Sequence, residues 1–98
     1  MTTYSLASER IDRNNPLPYY VQLRQLLLRH ITDGQLAPGE LLPSEAELCE
    51  MFDVSRTVVR QAVGELVNAG RLRRQQGCQV AVMVRLSDKL QAIIMRLV

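Results

Sequence analysis

Aromatic side chains are scarce in this chain, which has no Trp, one Phe and three Tyr among 98 residues. A hydrophobic fraction of 47% still suffices for a compact core, so the core has to be aliphatic and wholesale disorder is excluded. No apolar run approaches the roughly 18 residues that a membrane-spanning helix needs. The first ten residues, M-T-T-Y-S-L-A-S-E-R, lack the basic segment and apolar stretch of a secretory signal. The expectation is a cytoplasmic chain with no membrane partner. Cysteine is rare too: Cys49 and Cys78 stand alone, without the close pairing that zinc sites use, and are expected as free thiols. The one histidine, His30, has no companion ligand and is expected at the surface or its boundary. No set of nucleophile, base and orienting group is visible, so neither an enzyme nor a cofactor or metal is expected.

What the chain does have is an uneven distribution of charge. The net charge of +2 identifies no partner by itself. Between Glu40 and Asp53, however, there are five acids and no bases, whereas between Ser55 and Gln76 there are five arginines and one acid, Glu65. At this length the chain is one small domain, with room for a tail.

Residues 1–15 are polar, lack sustained periodicity and end in the loop signal Asn14-Asn15-Pro16. They read as a flexible arm, solvated in the simplest case, from which Arg10 and Arg13 could reach a nucleic acid. Pro18 to Asp33 reads as a first helix: Tyr20, Leu23, Leu26, Leu27 and Ile31 share a face, and Gly34 stops it. After a turn at Ala37-Pro38-Gly39, residues 40–42 suggest a short strand. Ser44 with Glu47 forms a capping box for a second helix anchored by Leu48 and Phe52. The acids Glu45, Glu47 and Glu50 are explained by negative charge near a helix start and a solvated face. Asp53 occupies a tight turn. Ser55 caps a third helix with Val59, Ala62, Val63 and Leu66 inward and Arg56, Thr57, Arg60, Gln61 and Gly64 on the opposite side. Arg71 to Val84 reads as a β-hairpin turning near Gly77, and Ser87 to Val98 suits a final helix with Leu90, Ile93, Ile94 and Leu97 apolar.

Two short capped helices around a tight turn, the second opening on two arginines four residues apart, are the pattern of a helix-turn-helix. Guanidinium groups on the exposed first turns of such a helix can reach guanine edges or phosphates in the DNA major groove. The expected fold is therefore mostly α with a small β-hairpin: a winged helix-turn-helix with a three-helix core plus wing over residues 16–84, followed by a linker or terminal helix over 85–98. The expected partner is a double-stranded DNA operator. The candidate DNA-binding residues are Ser44 and Ser55 at helix starts, Arg56, Thr57, Arg60 and Gln61 on the third helix, and Arg74, Gln76 and Gly77 in the wing.

From Pro16 to about Gly77 the sequence also resembles the amino-terminal domain of the GntR family of bacterial transcription regulators. The family pattern P-L-Y-x-Q appears as P-L-P-Y-Y-V-Q, G-x-L-x-P-G-x-x-L-P-S-E-x-x-L as G-Q-L-A-P-G-E-L-L-P-S-E-A-E-L, and V-S-R-x-T-V-R-x-A-L-x-x-L-x-x-x-G as V-S-R-T-V-V-R-Q-A-V-G-E-L-V-N-A-G. The resemblance implies a repressor-type regulator associated with the nucleoid, in which Arg56 and Arg60 contact the operator. The chain departs from the pattern at Ala46, where an arginine is common, at Val58, where threonine is common, and in the wing, G-C-Q-V-A-V in place of G-x-G-T-F-V. Family members normally continue into an effector-binding, dimerising domain. None is expected within this chain, and hence no effector site and at most a weak homodimer. A competing expectation, supported by the altered wing, is a winged-helix protein-interaction or oligomerisation module with vestigial DNA binding, the segment from Ser87 to Val98 being its contact element.

Overall fold

Pro18 opens helix α1 (Tyr19–Thr32): its fixed φ of −56° suits a helix start, and its carbonyl accepts from the N–H groups of Val21 and Gln22 at 3.1 Å. The structure, a computed structural model, describes residues 6, 8–75 and 79–83. α1 buries Leu23, Leu26, Leu27 and His30 and ends at Asp33, after which Gly34 adopts φ +80°, the left-handed conformation that a residue without Cβ enters freely. Helix α2 (Glu45–Phe52) starts at the expected capping box. Ser44 Oγ accepts from the Glu47 N–H at 3.1 Å, and Glu47 Oε1 accepts from the Ser44 N–H at 3.2 Å. Asp53 terminates α2 with φ 53°, a left-handed position that Asp tolerates better than most side chains. Ser55 then caps helix α3 (Arg56–Asn68) by accepting from the Val58 N–H at 3.3 Å.

The apolar stripes meet as their spacing requires. Val59, Ala62, Val63 and Leu66 of α3 join Leu48 and Phe52 of α2 and the leucines of α1 in one aliphatic core. Arg24 and Glu65, each about one-third exposed, tie α1 to α3 by an ion pair at its edge. Strands β1 (Leu72–Arg74) and β2 (Val80–Val82) pair antiparallel with Leu72 opposite Val82, Arg73 opposite Ala81 and Arg74 opposite Val80. Beyond them the Gln75 N–H donates to the Gln79 carbonyl at 2.8 Å.

All three β2 residues are buried because β2 has neighbours on both sides. The stretch expected as a strand at 40–42 does pair with it, but through a single bridge, Leu41 to Ala81. Flanking bonds run from the Gly39 N–H to Val82 O, from the Leu42 N–H to Val80 O and from the Val82 N–H to Glu40 O. Pro43 has no N–H with which to extend the ladder.

Two expectations need correction. The segment expected as a flexible arm is anchored at two points: Leu6 is fully buried and Ile11 is 7% exposed, both within the main core, while Ser8, Arg10, Asp12, Arg13 and Asn14 are exposed. Two apolar side chains among polar ones escape a periodicity search, yet they are enough to pin the segment. His30 is buried, not at the surface, because α1 turns it inward beneath that segment, where its Nε2 lies 3.3 Å from Glu9 Oε1. The expected terminal helix lies outside the described residues, as do Gln76, Gly77 and Cys78. Cys49 is a half-buried free thiol.

Candidate nucleic-acid interface

The amino end of α3 is built by two devices already visible in the sequence. The Ser55 cap fixes where the helix begins, and the buried stripe fixes which way it faces. Arg56, Thr57, Arg60 and Gln61 are consequently all exposed, over the first turn and a half of the helix. No acid stands in that first turn, so the partial positive charge of the free N–H groups is reinforced by arginine. Ser44, also exposed, has its oxygen engaged by the Glu47 N–H; its hydroxyl hydrogen and that of Ser55 can still be donated to a phosphate.

Arg60 does not stand alone. Its Nε donates to Glu45 Oε1 at 3.2 Å, across the two helices of the motif, while the arginine side chain remains 61% exposed. Glu45, expected as part of a helix start and an ordinary solvated face, is thus the acid that meets Arg60. Its separation of 15 residues from Arg60 is a tertiary proximity with no helical period to announce it. The only available signal was an acid in the first turn of α2 facing a run that is otherwise basic.

The wing contributes Arg73 and Arg74, both exposed. Arg74 reaches back over α3: a Cβ added at Gly64 would stand 3.8 Å from Arg74 Nη2. Gly64 therefore faces the wing's guanidinium, and Arg74 joins the exposed side of α3. Arg13, by contrast, is turned toward the protein. Its Nη2 donates to the carbonyls of Phe52 at 2.9 Å and Asp53 at 2.6 Å, and its guanidinium lies 4.7 Å from the centre of the Tyr19 ring. Gln76 and Gly77, at the expected wing tip, are outside the described residues.

The other charged cluster lies at the far end of α1. Partial burial pushes the Glu9 carboxyl up, but hydrogen bonds from His30 and Arg29 together with their charge outweigh this and hold it below its ordinary value of 4.5. Among the described residues no group of three or more His, Cys, Asp or Glu could hold a metal ion, and no helix is long and apolar enough to cross a membrane.

Two capped helices joined by a left-handed turn, packed on a third and followed by a hairpin, define a winged helix-turn-helix with an arginine-bearing second motif helix. The family model of the bacterial regulatory proteins, gntR family, matches residues 19–82, and the chain belongs to that family. It is 45% identical over 67 residues to the HTH-type transcriptional repressor NagR of Bacillus subtilis, covering 68% of this chain and 28% of that protein. Against the arabinose metabolism transcriptional repressor of Geobacillus stearothermophilus it is 45% identical over 65 residues, or 66% of this chain and 18% of the relative. The chain thus spans less than a third of the length of these relatives. Among solved structures, YtrA from Sulfolobus acidocaldarius, a GntR-family transcription factor, superposes with a TM-score of 0.73 at 32% identity, covering 88% of this chain and 92% of YtrA. The DNA-binding domain of AraR in complex with operator ORE1 superposes with a TM-score of 0.71 at 33% identity, covering 76% and 96%.

Proposed function

We propose that this chain is a sequence-specific DNA-binding transcription regulator of the repressor type. It inserts α3 into the major groove and lays the hairpin against the adjacent backbone or minor groove. The observation that carries this reading is the exposed face of α3, on which Arg56, Thr57, Arg60 and Gln61 stand together at a capped amino end. The names of the relatives as repressors, and the likeness to a domain solved on its operator, support the same reading.

In this mechanism Arg60, aimed by Glu45, and Arg56 read base edges or grip phosphate. Ser55, Thr57 and Ser44 donate to phosphate oxygens near helix amino ends, and Gln61 lies one turn further along. Arg74, crossing at Gly64, extends the positive surface from α3 to the wing, where Gln76 and Gly77 would follow the backbone. Such a chain acts in the cytoplasm, on the nucleoid.

Selection of duplexes from a random pool by the 98-residue chain, followed by gel-shift titration, tests the proposal. A defined sequence motif bound more tightly than scrambled DNA is expected, and enrichment of no motif would overturn it. For assembly, we propose that the 98-residue chain is monomeric or weakly dimeric and has no effector site. Among the described residues the large apolar side chains that are exposed are Leu17, Tyr19 and Leu41, which supports a weak self-contact there over an extensive apolar interface. Sedimentation equilibrium at micromolar concentration checks this, and a tight dimer would contradict it.

A further inference from the structure

The loop that carries Arg13 is latched to α1. Gln22 Oε1 accepts from the Asp12 N–H at 2.9 Å, and Gln22 Nε2 donates to the carbonyls of Asp12 at 3.1 Å and Leu17 at 3.0 Å. Within the loop, Asp12 Oδ1 accepts from the Asn14 N–H at 3.0 Å and the Asp12 carbonyl from the Asn15 N–H at 3.3 Å. From this fixed base the Arg13 guanidinium reaches the carboxyl end of α2, where helix carbonyls lack intrahelical partners and the helix dipole is negative. There it takes the Phe52 and Asp53 carbonyls, lies 3.7 Å from Asp53 Oδ2 and stacks over Tyr19, the first residue of α1. One side chain therefore joins α1, α2 and the left-handed turn that launches α3 only three residues before Arg56.

We propose that Arg13 is a positioning residue for DNA recognition: it holds the turn between α2 and α3 and so sets the orientation at which α3 meets DNA, without itself touching the nucleic acid. A recognition constellation has to be held to about half an ångström by supporting side chains, and the turn is the hinge through which α3 would swing. A guanidinium suits the task because it is flat enough to stack on Tyr19 while the two hydrogens of its Nη2 serve the two carbonyls, whereas an ammonium is a point charge that cannot stack in this way. The inference rests on the DNA-binding reading given above. It differs from an arm that grips phosphate, because the Nη2 donors are already directed to the Phe52 and Asp53 carbonyls.

The test uses the 98-residue chain, the duplex it selects from a random pool and a scrambled duplex of equal length, each titrated over a salt series. Arg13→Ala is expected to bind the selected duplex about tenfold more weakly, the size of an ordinary coupling between neighbouring groups. Its affinity for the scrambled duplex and the salt slope should stay those of the wild type, and Arg13→Lys should fall between the two. Unchanged affinity for the selected duplex would overturn the proposal. So would a slope shallower by about 0.9, the signature of a lost phosphate contact. Equal weakening on both duplexes together with a lowered unfolding midpoint would make Arg13 merely structural, again overturning it; should Arg13→Ala not fold, Arg13→Lys is judged by the same criteria. If the wild type selects no duplex, the DNA-binding reading fails first, and this inference with it.

Discussion

Arg60 keeps most of its side chain in solvent while its Nε is held by Glu45. An exposed pair of this kind is worth about 0 to 1 kcal/mol, so under the proposed function a base edge or phosphate can take over the guanidinium at little cost. Arg60→Ala should weaken binding to a selected duplex by about 1 to 3 kcal/mol if the side chain pairs with a base. Its unfolding curve should match the wild type, because the position contributes nothing to the core. Gel-shift titration of the folded variant decides, and unchanged affinity would remove the major-groove assignment. Glu9 is the second informative residue. Its carboxyl is held below 4.5 in the folded chain, so the stability it contributes is fully present above that value and lost as pH falls through the lower, folded one. Glu9→Gln should accordingly have a lower melting midpoint than the wild type near neutrality, with the gap closing in acid. A gap that persists at the lowest pH would show that the contact stabilises by packing and not by charge.

At the scale of elements, α3 has two jobs that pull against each other. Its inner stripe anchors it, whereas its outer face gives up helix propensity at Gly64, which lies under Arg74. A Cβ at that position would meet Arg74 Nη2 at 3.8 Å, an ordinary van der Waals contact. Gly64→Ala should therefore fit and raise stability by about 1 kcal/mol, the helix-propensity difference between the two residues, as read from urea unfolding. A loss of stability would mean that Arg74 cannot accommodate a methyl group. The segment from Leu6 to Pro16 is the other element whose role changed on folding. It runs from the Glu9 contacts with Arg29 and His30 near the end of α1 to the Arg13 contacts at the α2 to α3 turn, and so straps the helices from outside.

For the whole molecule, the decisive property is how positive charge is spread. Arg56 and Arg60 on α3 and Arg73 and Arg74 on the hairpin are all exposed, and Arg60 pairs with Glu45 of α2. If these four arginines neutralise two to four phosphates, the logarithm of affinity should fall linearly with the logarithm of salt concentration, with a slope of about −2 to −4. A flat response would favour a protein-contact role over DNA binding. Among the described residues the large apolar side chains that are exposed are Leu17, Tyr19 and Leu41, none of them on α3 or the hairpin, which suits a partner bound there by charge and hydrogen bonds.

The sequence by itself determined the local architecture. Ser44 with Glu47, Ser55, Asp53 and Gly34 set the helix boundaries, and stripes such as Val59, Ala62, Val63 and Leu66 set the buried faces, because caps, turns and periodicity act over a few residues. It also made the exposed arginine face of α3 legible, since that face is the complement of the buried stripe. Only the tertiary structure decided the rest. The pairing of Arg60 with Glu45, the passage of Arg74 over Gly64, the burial of His30 beneath Glu9 and the conversion of a polar leader into a strap through Leu6, Ile11 and Arg13 all join residues far apart in the chain. The strand expected at 40–42 shrank to one bridge for a related reason: its pairing depended on where β2 lay, and Pro43 left no donor to prolong it. Contacts of this kind follow from how the elements pack in space, and no period or motif along the chain encodes them.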